Sequence, residues 1–161
     1  MRRSLLVIVL FAIVSFSGVA FASDGAPDVQ VDPDNSGYYY ETVIEDEPVP
    51  LNLHRRLMAS KSKTVKKKSK TTYYKSSSGS VMWYVKVIGT FKYGGGTATC
   101  TKSSVKAVSK DPAWTVHDKA ASKSGNTATA KATGKKHFQG MVVDAARKTV
   151  TLSCSPSGKF T

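Results

Sequence analysis

From Ser80 onward apolar and polar residues alternate. Val81, Trp83, Val85, Val87, Phe91 and Tyr93 share one face of a long strand, and Lys86, Thr90 and Lys92 share the other, with Met82, Tyr84 and Ile88 mixed among them. Gly94-Gly95-Gly96 breaks the run as a turn does. The stretch 97–108 resumes with Ala98 and Cys100 in one phase and Val105 and Ala107 in the other, a slip that predicts a bulge near Ser103-Ser104. After the turn signal Asp111-Pro112, Trp114 and Val116 alternate. Ser124-Gly125-Asn126 is a further turn, beyond which Ala128, Ala130 and Ala132 lie opposite Thr127, Thr129, Lys131 and Thr133. Segments 138–144 and 149–154 complete the set, the last with Val150, Leu152 and Cys154 inward. No stretch carries a 3.6-residue apolar stripe. Six or so short strands spaced by turns predict an all-β domain over 80–161, an antiparallel sandwich or a partly open barrel.

The 79 residues before this domain read differently. Met1-Arg2-Arg3-Ser4 is a positive start, 5–14 is an apolar run, and Ala20-Phe21-Ala22 supplies the small residues of a signal-peptidase site. The stretch 1–22 is therefore expected to be a secretory signal cut after Ala22, giving a secreted, extracellular protein. Between Ser23 and His54 there are eight acids and no Lys or Arg, with four prolines and no apolar period. Such a segment is expected to stay disordered. It ends at Arg55-Arg56, a dibasic processing signal, so 23–56 reads either as a removable acidic pro-segment or as a solvated linker. The Lys/Ser/Thr tract 57–79 follows, and like charges at that density predict an extended basic linker.

Charge sharpens the functional reading. The chain holds 24 Lys and Arg against 11 Asp and Glu, and from Leu57 onward 20 bases face three acids, a net of +17. Lys61, Lys63, Lys66, Lys67, Lys68 and Lys70 form a candidate polyanion-binding arm. Lysine is a hydrated point charge without the planar fork of arginine, so the arm would read charge density rather than sequence. The expected partners are anionic polymers or a membrane surface: wall polymers, lipid head groups, extracellular nucleic acid.

Cys100 and Cys154 both fall in inward phase on an exported chain, which predicts a disulfide between them worth about 4 kcal/mol through loop closure. With Trp114 between them, their spacing resembles that of immunoglobulin-type domains, although the tyrosine expected two positions before the second cysteine is Leu152 here. The resemblance implies an Ig-like sandwich architecture. A second resemblance rests on Trp83-Tyr84-Val85-Lys86-Val87 with Gly89-Thr90-Phe91, on the run from Ser122 to Ala130, and on Val150-Thr151-Leu152-Ser153-Cys154. Over 81–161 the chain resembles small secreted proteins of Gram-positive bacteria that have no assigned function. It implies an exported β-domain and brings no catalytic residues.

Catalytic chemistry finds little support. The basic region has two imidazoles, His117 and His137, and three carboxylates, Asp111, Asp118 and Asp144. His117 and Asp118 are neighbours on an expected strand and point to opposite faces. There is no Gly-x-Ser-x-Gly elbow, and Gly94-Gly95-Gly96-Thr97 lacks the Lys-Ser/Thr of a phosphate loop. Asp32, Asp34, Ser36 and Gly37 match the start of a calcium loop, but Val43 stands where its bidentate glutamate belongs. No catalytic residue, metal or cofactor is expected. Two readings follow: a secreted non-enzymatic binding or effector protein, of which an antimicrobial protein held by its acidic segment is one version, and a secreted hydrolase with an unrecognised site.

Overall fold

The computed structural model describes residues 27–32, 37–48 and 63–161. Eight strands run in chain order: β1 Asp28–Val31, β2 Tyr38–Asp46, β3 Thr64–Ser76, β4 Val81–Gly94, β5 Thr97–Ser109, β6 Trp114–Ser124, β7 Thr127–Phe138 and β8 Met141–Ser153. They form a five-stranded sheet, β1-β2-β3-β4-β5, and a three-stranded sheet, β6-β7-β8, and every pairing is antiparallel. The predicted sandwich is present and the sheets do not close into a barrel. Its strands follow one another as meanders in both sheets, without the Greek-key crossing of an immunoglobulin domain.

The alternation read from the sequence orders the core. Trp83, Val85, Val87 and Phe91 of β4 are buried against Ala128, Ala130 and Ala132 of β7 and Val150 and Leu152 of β8. The alanine stripe brings the second sheet close. Gly134 lies flat beneath Trp83, since a Cβ there would stand 2.4 Å from the indole ring. The phase slip in β5 is real but sits two residues earlier than expected. Thr90 pairs with Lys102 and Phe91 with Cys100, so Thr101 is the extra residue and not Ser103-Ser104.

Two expectations are overturned. The acidic segment and the lysine tract are not disordered where they are described: β1, β2 and β3 supply three of the five strands of the larger sheet, so the folded domain begins well before Ser80. The reason is their mutual pairing. Tyr38, Tyr40, Thr42 and Ile44 of β2 face inward opposite Ser76, Tyr74, Thr72 and Lys70 of β3. Around this register Lys75 meets Glu41 at 2.6 Å, Lys68 meets Asp46 at 3.2 Å, and Lys86 of β4 meets Glu47 at 2.6 Å and Glu45 at 3.3 Å. Opposite charges across strands offset the repulsion that either segment would suffer alone.

The second correction concerns the cysteines. Cys100 and Cys154 are both buried, as their phase predicts, and both are free thiols. Each sulfur is turned to a local carbonyl, Cys100 Sγ to Lys102 O at 3.3 Å and Cys154 Sγ to Ser155 O at 3.4 Å. They pack as small apolar side chains, and burial raises both thiol pKa values.

An aromatic cluster joins the early strands to the core. Tyr74 of β3 stacks on Tyr38 at 5.0 Å and contacts Tyr40 at 4.9 Å, Trp114 at 5.3 Å and Trp83 at 5.8 Å. Its hydroxyl donates to Asp32 at 2.7 Å, and burial raises its pKa. Asp32, whose calcium-loop match already fails at Val43, is thus a buried acceptor.

The Lys86–Glu47 pair predicts a pH effect. The hydrogen bond from Lys86 holds the Glu47 carboxyl below its ordinary 4.5, against a smaller opposing effect of burial. A depressed carboxylate stabilises the fold above its unfolded pKa, and that contribution is lost as pH falls through the folded pKa. Glu47→Gln should therefore cost about 1 kcal/mol at neutral pH, with the gap to the parent closing below the carboxylate range. Urea unfolding at neutral and acidic pH measures it.

Candidate functional site: a lysine-lined groove

The three-stranded sheet is narrower than the sheet it covers. β7 and β8 pack over β4, and β8 reaches the edge of β3. Further out, Lys148 of β8 spans to β1 and β2, with its ammonium 4.0 Å over the Tyr40 ring and donating to Gln30 Oε1 at 3.3 Å. At the other end, where β3 begins, a groove of about 690 Å³ opens, and no residue of β8 is part of its lining.

Its floor is the inward face of β3 and β2. Lys66, Lys68 and Lys70 pair in register with Phe91, Gly89 and Val87, all on the core side of β4, so the three ammonium groups share one face. Successive Cα atoms along that row are about 6.8 Å apart. Thr42 and Ile44 of β2 and Asp28 of β1 extend the floor. The far wall is the C-terminal segment 157–161. Ser155 N donates to Lys159 O at 2.8 Å and Gly158 N to Ser155 O at 2.9 Å, which turns the chain back so that Thr161 pairs with Ser153 and Phe160 with Cys154. Gly158 makes this turn at φ +84° while pressed on the Tyr93 ring, where a Cβ would approach to 2.4 Å. Phe160 rests on Phe91 at 5.3 Å and beneath the Lys68 ammonium at 5.4 Å. Lys159 adds a fourth cation to the lining.

Charge in the groove is unevenly neutralised. Lys68 is engaged by Asp46, whereas among the described residues neither Lys66 nor Lys70 forms an ion pair. The acids Glu41, Glu45 and Glu47 pair with lysines on the opposite face of the sheet from the groove.

The candidate arm of six lysines is thus divided. Lys66, Lys68 and Lys70 line the groove. Lys67 lies on the other face and reaches Pro48 O at 3.5 Å, while Lys63 donates to Thr97 Oγ1 at 3.0 Å. Lys61 and the processing residues Ala22, Arg55 and Arg56 lie outside the described residues, as do Asp34 and Ser36 of the calcium-loop pattern. Thr42, Ile44, Lys159 and Phe160 were not anticipated as site residues. The alternation of Thr42 with Ile44 and of Lys66 with Lys68 and Lys70 is the signal that places them on a common face.

Groups considered for catalysis are held apart or engaged elsewhere. Asp111 accepts from the Ala113 amide at 2.8 Å, and Asp118, at φ +51° in the β6 bulge, faces Arg147 at 3.9 Å. Asp144 sits opposite Lys136, whose ammonium donates to the Tyr38 hydroxyl at 3.1 Å. His117 and His137 converge instead on the Thr115 hydroxyl, 2.8 Å from each Nε2, at an exposed position. Among the described residues no group of three His, Cys, Asp or Glu side chains is placed to hold a metal ion, and no helix is long and apolar enough to cross a membrane.

No protein-family model matches the chain, and no significant match is found to a curated protein or to a solved structure.

Proposed function

We propose that this is an exported binding protein of a Gram-positive cell that holds a linear polyanion, a phosphodiester chain of the wall-polymer or nucleic-acid type, along β3. The observation that carries the reading is the row Lys66, Lys68, Lys70 at two-residue spacing on the floor of a 690 Å³ groove, with Lys159 on its wall. A row of cations along an extended strand meets successive anionic groups of an extended polymer. Thr42 offers a hydroxyl and Phe160 an apolar ring between charges. Lysine ammonium groups supply charge without bidentate recognition, so affinity tracks linear charge density rather than sequence.

Binding of a labelled single-stranded oligothymidylate to the chain from Ser23 tests this, by fluorescence anisotropy at several salt concentrations. Affinity should fall with salt by about 0.7 log units per log unit of salt for each lysine engaged. Lys66→Gln with Lys70→Gln should weaken binding about tenfold and reduce the salt slope by about 1.4. Lys67→Gln, on the opposite face, should leave both unchanged. Asp46→Asn releases Lys68 and should strengthen binding. Salt-insensitive binding, or equal losses from Lys67→Gln and the groove variants, would remove the groove from consideration.

A further inference from the structure

We propose that the tip of the β7–β8 hairpin is a membrane-docking element, which seats in the interface of a bilayer containing anionic lipids. At this tip Phe138 is 63% exposed, Met141 64%, Val142 51% and Val143 53%, four of the seven large apolar side chains left exposed among the described residues. They fall within six residues at the tip of one hairpin. The groove lies at the opposite end of the sandwich, beside the β6–β7 turn and the C-terminal segment, so this proposal stands independently of the groove reading.

The shape of the patch identifies its occupant. Phe138 and Met141 pair across the two-residue turn and share one face of the ribbon. Val142 pairs with His137 on the other face, and a register shift between Lys136 and His137 leaves Val143 as the extra residue. Apolar groups thus project from both faces of a two-stranded ribbon and from its end. A protein partner docking on one face would cover only part of them. A bilayer interface, entered end-on, surrounds them all.

The backbone is suited to that entry. Gln139 and Gly140 adopt φ +48° and +81°, the two left-handed positions of a tight hairpin turn, so Phe138 and Met141 close the ladder directly behind the turn. Little main chain is left to desolvate at the tip.

Charge behind the tip fits an anionic surface. Lys135 lies three residues behind Phe138 on β7, and Lys110 lies in the β5–β6 turn, which is joined to β7 through His137 N and Ala113 O at 2.7 Å. Among the described residues neither lysine is ion-paired. The acids at this end are occupied: Asp111 caps Ala113, Asp118 faces Arg147, and Asp144 sits opposite Lys136.

Co-sedimentation of the chain from Ser23 with vesicles tests the proposal. That chain keeps every described strand and omits the apolar run 5–14, which would bind lipid by itself. The probes are vesicles of phosphatidylcholine alone and of phosphatidylcholine with phosphatidylglycerol. The parent should partition onto the mixed vesicles. Phe138→Ser with Met141→Ser should weaken partitioning at least tenfold at unchanged salt, with an unchanged circular dichroism spectrum and unfolding midpoint. Lys66→Gln with Lys70→Gln should leave partitioning within twofold, because the groove is screened from a surface at the far end of the molecule. Three results would overturn the proposal. The parent fails to bind mixed vesicles, the serine variant binds as well as the parent, or the parent ignores vesicles and self-associates in sedimentation velocity through the same two residues.

Discussion

A chain that begins at Leu57, the product of cleavage beside Arg56 with loss of the acidic segment, is expected to lose cooperative unfolding. The acidic segment contributes β1 and β2, and β2 pairs with β3 from Tyr38–Ser76 to Asp46–Lys68. Its removal uncovers Tyr74, now 1% exposed, and deletes the Tyr38 and Tyr40 rings that pack on it. Fully burying one large apolar side chain is worth roughly 1.5–3 kcal/mol. Losing three such contributions approaches the whole stability of a typical domain, about 5–15 kcal/mol. The partners of Lys68, Lys75 and Lys86 leave as well, and β3 becomes an unpaired edge exposed to aggregation. Size exclusion and near-ultraviolet circular dichroism of 57–161 against 23–161 measure this. A monomeric 57–161 with an unchanged unfolding midpoint would return the acidic segment to the role of a detachable pro-segment. Cleavage at Arg56 without dissociation is a different case, in which the two fragments should co-elute as one folded species.

Trp83→Ala should cost about 3–5 kcal/mol, the range for deleting a buried aromatic side chain. Trp83 is 1% exposed and stands between the Tyr74 ring and the backbone of Gly134. Its Nε1–H has no hydrogen-bond partner among the described residues. Trp83→Phe therefore removes an unsatisfied buried donor along with part of the ring, and should cost markedly less than alanine. Gly134→Ala forces a methyl to within 2.4 Å of indole Nε1 and Cε2 and should cost about 1–3 kcal/mol by overpacking. Phenylalanine carries its ring on the same Cβ and fills the place of these proximal atoms, whereas alanine removes them. Trp83→Ala with Gly134→Ala should thus be less destabilised than the sum of its parts, a coupling expected only of groups in contact. Urea midpoints of the four variants read the cycle. Strict additivity would show that the indole does not rest on Gly134.

The buried faces of β4 and β7 were legible because alternation is local, whereas 138–144 and 149–154, expected as two strands, are the end of β7 and the single strand β8. Successive Cβ atoms point to opposite faces, so Trp83, Val85, Val87 and Phe91 declare a buried face without reference to any partner, as do Ala128, Ala130 and Ala132. The same rule placed Cys100 and Cys154 inward. It carried no information on what each sulfur would meet, and each meets a backbone carbonyl. The bulge was legible as a change of phase, but its position depends on which residue of β4 lies opposite, and Phe91 opposite Cys100 sets it at Thr101.

From the chain alone, then, come the all-β class, the strand faces, the inward cysteines and the concentration of positive charge after Leu57. Tertiary structure decided the fate of the charged segments. Read separately, an acidic run and a lysine run each lack the apolar surface to fold. Placed side by side they neutralise one another across strands, through pairs such as Lys68–Asp46 and Lys86–Glu45 whose members stand 22 and 41 residues apart. The groove is equally non-local. Lys66, Lys68 and Lys70 come to line one groove because a three-stranded sheet leaves part of a five-stranded one uncovered, and because the C-terminal turn stands Phe160 opposite them. Which lysines share a face is written in their spacing. What that face looks onto depends on the width of a sheet built from residues far away in the chain.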